Sequence, residues 1–284
     1  MFDNIIGNDK IKEYLETAIS TGEISHSYMF VGISGIGKSL FAREFAKKII
    51  CTDEASLVKF DANSNPDYVE IEPEGKTIKI EQIRNIQTKI AEKPIVSQKK
   101  VYVINDADSM SEEAQNCLLK TLEEPPEYAI IILVASNESN LLATIKSRCV
   151  IVNFTRLTNE QLKKYLKDVP NDILSLLGGS LERVNKIEQI KQEFEELEII
   201  VESLKNKPLT QTLNSADILY TKKEDIMELL NYLNIIFFNQ RIIEPIETIE
   251  KVKKKIIANN NYEMCIDYLL MHIWEEINEK SYRR

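Results

Sequence analysis

Four cysteines, Cys51, Cys117, Cys149 and Cys265, are scattered through 284 residues, and no two form a C-x-x-C pair. That spacing argues against a disulfide framework and against a zinc site legible from sequence. Glycine is equally scarce, at 8 residues. The scarcity leans toward a helix-rich chain and away from an all-β fold built on many tight turns. No stretch approaches the 18 or so apolar residues of a membrane span. Met1-Phe2-Asp3-Asn4 lacks the basic start and apolar run of a signal peptide. The expectation is a cytosolic chain with no membrane partner.

What is present is ordinary for a globular protein: 43% hydrophobic and 29% charged residues. The length suggests two or three domains at roughly 100–200 residues each. The net charge is −9. Residues 205–284 carry basic and acidic side chains in balance, so the excess falls in residues 1–204. Such a body argues against gripping DNA phosphates alone over a broad surface, and leaves open DNA contact as one member of a larger ring.

Short apolar runs alternate with helical periodicity. Tyr28–Val31, Tyr68–Ile71, Val101–Ile104, Ala129–Val134 and Cys149–Val152 read as five strands. Helices are expected over 8–21, with Ile11, Leu15 and Ile19 on one face, and over 38–50 and 80–91. Another begins at Ser111, which is placed to cap it, and ends at Pro125-Pro126. Residues 51–67 read as a polar, turn-prone connection. Strands alternating with helices predict a parallel sheet covered on both faces. After Phe154 the strand signals stop. Residues 158–200 read as helical, broken at Pro170 and Gly178-Gly179, and 209–284 as helical again, punctuated by Pro208 and Pro245.

Gly32-Ile33-Ser34-Gly35-Ile36-Gly37-Lys38-Ser39 fits G-x-x-x-x-G-K-[ST] between a predicted strand and a predicted helix, the context that gives this motif meaning. Glycines let such a loop curl so that backbone N–H groups converge on phosphate oxygens, and the helix N-terminus adds partial positive charge. Gly32, Ser34, Gly35, Ile36, Gly37, Lys38, Ser39 and Leu40 are the candidate ligands of ATP or ADP. Lys38 would reach the outer phosphates and Ser39 would hold Mg²⁺. The third strand runs into Asn105-Asp106-Ala107-Asp108. An intact ATPase site would set Asp at 105 and Glu at 106. Asn105 keeps an oxygen without the charge, and Asp106 is shorter than Glu. Nucleotide binding survives this change better than hydrolysis does. Asp106 reads as a metal ligand or a turn residue, and Asp108 as a turn or N-cap residue.

Kinases, GTPases and motors share that loop. The segments Asn4–Gly7, Ile24–Phe30, Gly75–Arg84, Asn116-Cys117-Leu118-Leu119-Lys120-Thr121-Leu122-Glu123-Glu124-Pro125-Pro126 and Ile145-Lys146-Ser147-Arg148-Cys149 narrow the choice. In this order they resemble the clamp-loader branch of the AAA+ ATPases, over residues 1 to about 185. The resemblance implies a nucleotide-binding α/β domain over 1–154 with a five-stranded parallel sheet, a helical lid over 155–204 and an all-α collar over 205–284. It implies a hetero-pentamer with gamma/tau and delta subunits that loads a sliding clamp onto primed DNA. Arg148 resembles an arginine finger acting in a neighbour's site, against a plain surface arginine. Asn137 resembles the sensor-1 polar residue. Arg183 resembles sensor 2, against an ordinary helix-surface arginine. A four-cysteine zinc module is common in the family. Cys51 alone stands where a first ligand would be, so no zinc is expected. The altered 105–106 pair and the short C-terminal region favour a structural member with little ATPase of its own over a motor.

His26 and His272 read as structural, with core packing expected for both. The run Lys251, Lys253, Lys254, Lys255 reads as a solvated helix face, or else as a contact for DNA phosphate or a partner. Leu229, Leu230, Leu233, Ile236 and Phe237 make a stripe wide for a surface helix, accounted for by burial with some excess for sister subunits. The rivals are an active motor of the same family, a nucleotide kinase with a mobile arginine-rich lid, and a scaffold with an empty loop.

Overall fold

The computed structural model describes residues 2, 4–166 and 171–282. The chain divides into two compact units, residues 1–167 with 179–182, and residues 168–178 with 183–284. Pro170, expected to break a helix, lies outside the described residues.

The first unit carries β1 (Ser27–Val31), β2 (Tyr68–Ile71), β3 (Lys100–Ile104), β4 (Ala129–Ala135) and β5 (Val150–Asn153). All pairings are parallel, in the order β2-β3-β4-β1-β5. The helices of this unit are α1 (Asp9–Thr21), α2 (Lys38–Ile50), α3 (Glu54–Asp61), α4 (Ile80–Ile90), α5 (Glu112–Glu123), α6 (Ala143–Lys146) and α7 (Asn159–Tyr165). The continuous apolar runs resolve into a period of two once paired, because successive side chains point to opposite faces. Tyr28, Phe30, Val101, Val103, Ile130 and Ile132 join one core with Leu15, Phe41 and Phe45. Met29, Tyr102, Ile104, Ile131 and Leu133 join the other with Ile83, Ile86, Leu118 and Leu122. A run buried on both faces is what parallel strands require.

The polar stretch after α2 departs from expectation. It holds α3 rather than an unbroken loop. The Asp53 carboxylate accepts from the Ser56 N–H at 2.7 Å while the Ser56 hydroxyl meets the Asp53 N–H, a reciprocal capping box. Phe60 is buried and its ring lies 4.6 Å from that of Tyr68. One aromatic anchor and one cap thus make a helix from a segment with little periodicity. Ser111 caps α5 as expected, accepting from the Ala114 N–H.

Asp67 immediately precedes β2 and is fully buried. Its carboxylate accepts from the N–H groups of Ile95, Val96 and Ser97 at 2.7–2.8 Å and from the Ser97 hydroxyl at 3.1 Å. These donors fix the loop that feeds β3.

The second unit is all helix among its described residues: α8 (Asn171–Leu177), α9 (Arg183–Gln189), α10 (Lys191–Asn206), α11 (Leu209–Ser215), α12 (Asp217–Thr221), α13 (Ile226–Asn239), α14 (Glu244–Ile257) and α15 (Tyr262–Tyr282). Leu229, Leu230, Leu233, Ile236 and Phe237 are all buried on α13, which packs against α8, α10 and α14. Pro245 sits in the first turn of α14, where its missing N–H costs nothing. It opens a helix rather than interrupting one. His272 is not a core residue. It is half-buried, its Nδ1 donates to the Tyr268 carbonyl at 3.0 Å and its ring stacks on Tyr268 at 3.8 Å. No described helix is long and apolar enough to cross a membrane.

Burial alone would push the Asp67 carboxyl up, but its backbone and hydroxyl donors outweigh it and hold the group below the usual carboxylate range. A depressed folded value means that this stabilisation is whole above the unfolded value of about 3.9 and drains away as pH falls through the folded one. Asp67→Asn should therefore cost about 2 kcal/mol in urea unfolding at pH 7, with the deficit shrinking in acid. An equal deficit at pH 7 and pH 3 would contradict the assignment.

Candidate nucleotide-binding site

The site is built at the carboxyl end of β1, which lies between β4 and β5, the edge where open parallel sheets take ligands. Gly32 N–H donates to the Ala135 carbonyl and Phe154 N–H to Val31, so the ladder carries the chain to the brink of the loop. Gly35 and Gly37 then turn it at φ +75° and +89°, a region glycine alone enters freely. A Cβ on Gly35 would stand 2.1 Å from Ser180 Oγ and 2.5 Å from Glu182 Cβ. A cavity of about 360 Å³ follows, lined by Ser34, Gly35, Gly37, Lys38, Ser39 and Leu40 and by Asp106, Val134, Ser136 and Glu182 from other segments.

Lys38 is 5% exposed. Its ammonium donates to the Gly32 and Ile33 carbonyls at 2.7 and 2.8 Å and to Ser136 Oγ at 3.3 Å. Burial pushes Lys38 below the usual lysine value, opposed by the carboxylates of Asp108, Asp106 and Glu182. A buried cation turned back onto its own loop, beside Ser39 and the carboxylates of Asp106 and Glu182, fits a phosphate group with its metal. Ser39 and Asp106 are the residues that would hold Mg²⁺ there.

Other expected ligands go elsewhere. Ile36 is 2% exposed and packs in the core beneath the loop, so only its backbone is free to face phosphate. Gly32 does not line the cavity. Asn105 is buried and does not line the cavity; its Nδ2 donates to Glu70 Oε1 at 2.7 Å, while its Oδ1 has no hydrogen-bond partner among the described residues. Asn137 Oδ1 accepts from the Ser139 N–H and hydroxyl. The neighbouring Ser136 is the polar residue that meets Lys38. Asp108 is no N-cap. Its two oxygens accept from the Ser136 and Asn137 N–H groups at 3.1 and 2.9 Å, tying the end of β3 to the end of β4. Glu182 was silent in sequence, yet its carboxylate accepts from Ser34 Oγ at 2.7 Å across 148 residues. Arg183 is exposed and begins α9 in the second unit.

Arg148 stands in the turn after α6. Its Nη2 meets Glu123 Oε1 at 2.7 Å, and Nη1 donates to the Thr144 carbonyl at 2.8 Å. Burial pushes the adjacent Cys149 thiol up to about 12, so it is a packing residue, not a nucleophile. The Cys51 thiol donates to the Ser56 carbonyl, and burial pushes it up as well. His26 Nδ1 donates to the Ala129 carbonyl at 3.1 Å, fastening the start of β1 to β4. In the second unit, Lys251 pairs with Glu247, Lys253 with Glu250 and Asn231, and Lys255 covers the Tyr268 ring. Three of the four lysines of the basic run are thus engaged with their own chain, and Lys254 is exposed.

A glycine loop between an inner parallel strand and a helix, with an acidic residue from the end of β3 one strand beyond β4, defines a P-loop protein of the AAA+ type. Residues 7–158, more than half of the chain, match the family model described as DNA polymerase III, delta subunit, and the chain belongs to that family. It is similar to the tau subunit of DNA polymerase III from Bacillus subtilis, 34% identical over 191 residues, which is 64% of this chain and 34% of that one. It is also similar to subunit delta' from the same organism, 29% identical over 196 residues, 66% of this chain and 60% of that one. The chain thus spans less than two thirds of either relative. Among solved structures it is similar to a gamma subunit-related protein from Thermotoga maritima. There the TM-score is 0.50 and the identity 23%, over 93% of this chain and 99% of that one. That likeness shows the fold alone.

Gly35→Ala should destabilise the chain by about 1–3 kcal/mol, through the strained φ and the collision with Ser180. The urea midpoint checks it, with Gly22→Ala, which meets nothing within 4 Å at φ +73°, as the control for φ alone. Equal losses in the two variants would remove the collision.

Proposed function

We propose that this chain is a delta-prime-like subunit of the DNA polymerase III clamp loader, which holds nucleotide without turning it over quickly and lends Arg148 to the ATP site of a neighbouring subunit. The observation that carries this reading is the 105–106 pair. Asn105 brings no charge and its Nδ2 is held by Glu70, and Asp106 alone of the two lines the cavity. Hydrolysis calls for groups that hold the metal and orient the attacking water together.

The surroundings of Arg148 support its role in trans. The side chain is 34% exposed and its partner Glu123 49%. An ion pair so open to solvent is worth at most about 1 kcal/mol. Exchanging that carboxylate for a phosphate costs little and gains a stronger charge-assisted partner. An arginine so placed offsets negative charge on a transferring phosphoryl group. In this reading residues 1–154 bind nucleotide, 155–204 form the lid and 205–284 the collar. Gamma/tau and delta subunits are the ring partners, the sliding clamp and primer–template DNA are reached through the assembly, and the site of action is the cytoplasm. Gly32, Ser34, Gly35, Ile36, Gly37, Lys38, Ser39 and Leu40 serve the nucleotide, with Asn137 and Arg183 as its sensors.

A second reading, an active gamma/tau-like motor, is favoured by the meeting of Lys38, Ser39 and Asp106 in one cavity. Single-turnover hydrolysis by the isolated chain separates the two, since vigorous hydrolysis abolished by Lys38→Ala would establish the motor. In a reconstituted ring, Arg148→Ala should lower ATP hydrolysis at the neighbouring site by about 10³-fold, the scale of arginine fingers generally, and total ring hydrolysis by that site's share. Lys38→Ala in this chain should leave ring hydrolysis within about twofold. A ring that hydrolyses normally with Arg148→Ala would remove the finger.

A further inference from the structure

We infer that Glu182 is the residue that sets polyphosphate affinity in this pocket, a fixed anion that opposes the nucleotide at its phosphate end. The inference rests on the reading of the loop as a nucleotide site and names what tunes it.

The carboxylate is held there by construction. Residues 179–182 belong to the first unit although the chain on both sides belongs to the second. This strap is sewn down at two points, with Leu157 N–H donating to the Gly179 carbonyl at 3.3 Å and Leu181 N–H to the Gly35 carbonyl at 2.9 Å. Ser180 is 2% exposed. Gly179 turns at φ +84°, where a Cβ would strike Arg156 and the Leu157 backbone within 3 Å. The strap delivers Glu182 onto Ser34 Oγ and into the lining of the cavity that holds Lys38, Ser39 and Asp106.

The charge balance then decides the outcome. Asp106 and Glu182 both line the cavity around the single ammonium of Lys38. Asp108 adds its charge nearby while its oxygens serve backbone N–H groups. Asp106 is suited to a metal. Glu182 hydrogen-bonds a loop hydroxyl instead, and its charge, shared with Lys38 but with no ion pair of its own among the described residues, lies where phosphates would enter. Glu182 is exposed at the cavity mouth, and two like charges about 6 Å apart there repel enough to change an affinity by about 3- to 10-fold. A side chain serving only to pin the strap would need the hydrogen bond with Ser34 but not the charge.

Glu182→Gln separates these roles, because it keeps an acceptor for Ser34 and removes the anion, while Glu182→Asp keeps the anion. Binding of adenosine, ADP and ATP to the full chain is measured by calorimetry at low and high salt, alone and in the Lys38→Ala background. The expected result is ATP binding about 3- to 10-fold tighter for Glu182→Gln than for the native chain or Glu182→Asp, a smaller gain for ADP, none for adenosine, and a gain that shrinks with salt. Glu182→Gln binding ATP no tighter than the native chain overturns the inference, including the case where neither binds. So does an equal gain for adenosine, which would mean a widened pocket. If Lys38→Ala weakens ATP binding while Glu182→Gln changes nothing, this inference alone fails. If Lys38→Ala leaves ATP binding unchanged, nucleotide does not bind at the loop and the reading beneath it fails too.

Discussion

The parallel register of β1 between β4 and β5 is the constraint on which the site depends. Val31 stands opposite Ala135 on one side and Asn153 on the other. The backbone is therefore committed on both flanks up to Gly32, and the loop must turn at that point. The same register sets Ser136 beside the Lys38 ammonium and presents the Ser136 and Asn137 amides to Asp108. A slip of one residue would exchange the two faces of β1. Phe30 would leave the core it shares with Phe41 and Phe154, and Lys38 would lose its serine.

Within that frame the loop is held from inside. Lys38 satisfies two carbonyls that the curl of the loop leaves pointing inward, and the helix it begins is covered by Phe41 and Phe45 in the core. Aromatic packing below and one ammonium above give a loop that keeps its shape before any ligand arrives. Preorganisation of this kind lowers the entropy cost of binding. It also leaves the balance of nearby charge to govern affinity.

Much of this was legible in the residues. Short apolar runs between helical periods gave five strands, and the glycine spacing with Lys38 and Ser39 marked the loop between Val31 and α2. The segments from Leu118 to Pro126 and from Ile145 to Cys149 carried the family. What escaped was set by contacts distant in sequence. Asp108 does lie in a 3-10 turn, but its amide partners follow β4, and only the β3–β4 pairing brings them together. Glu182 gave no signal because Ser34 lies 148 residues away. Ser136 gave no signal as a partner of Lys38, because side-chain direction at the end of β4 is not recorded in sequence. The helix α3 was hidden for a local reason: its cap is a polar pair, Asp53 and Ser56, and its anchor is the single residue Phe60.

The tapering of the sheet has a consequence of its own. The outermost strands, β2 and β5, have four residues each, while β4 near the middle has seven. An unpaired strand edge is a template on which another chain can lengthen the sheet. Here the exposed ladders are the shortest ones, β2 follows Asn65-Pro66, and Glu70 places a charge on its row. The most apolar strand is sealed on both sides by partners. The chain thus keeps its stickiest segment furthest from solution, a safeguard against fibrous self-association.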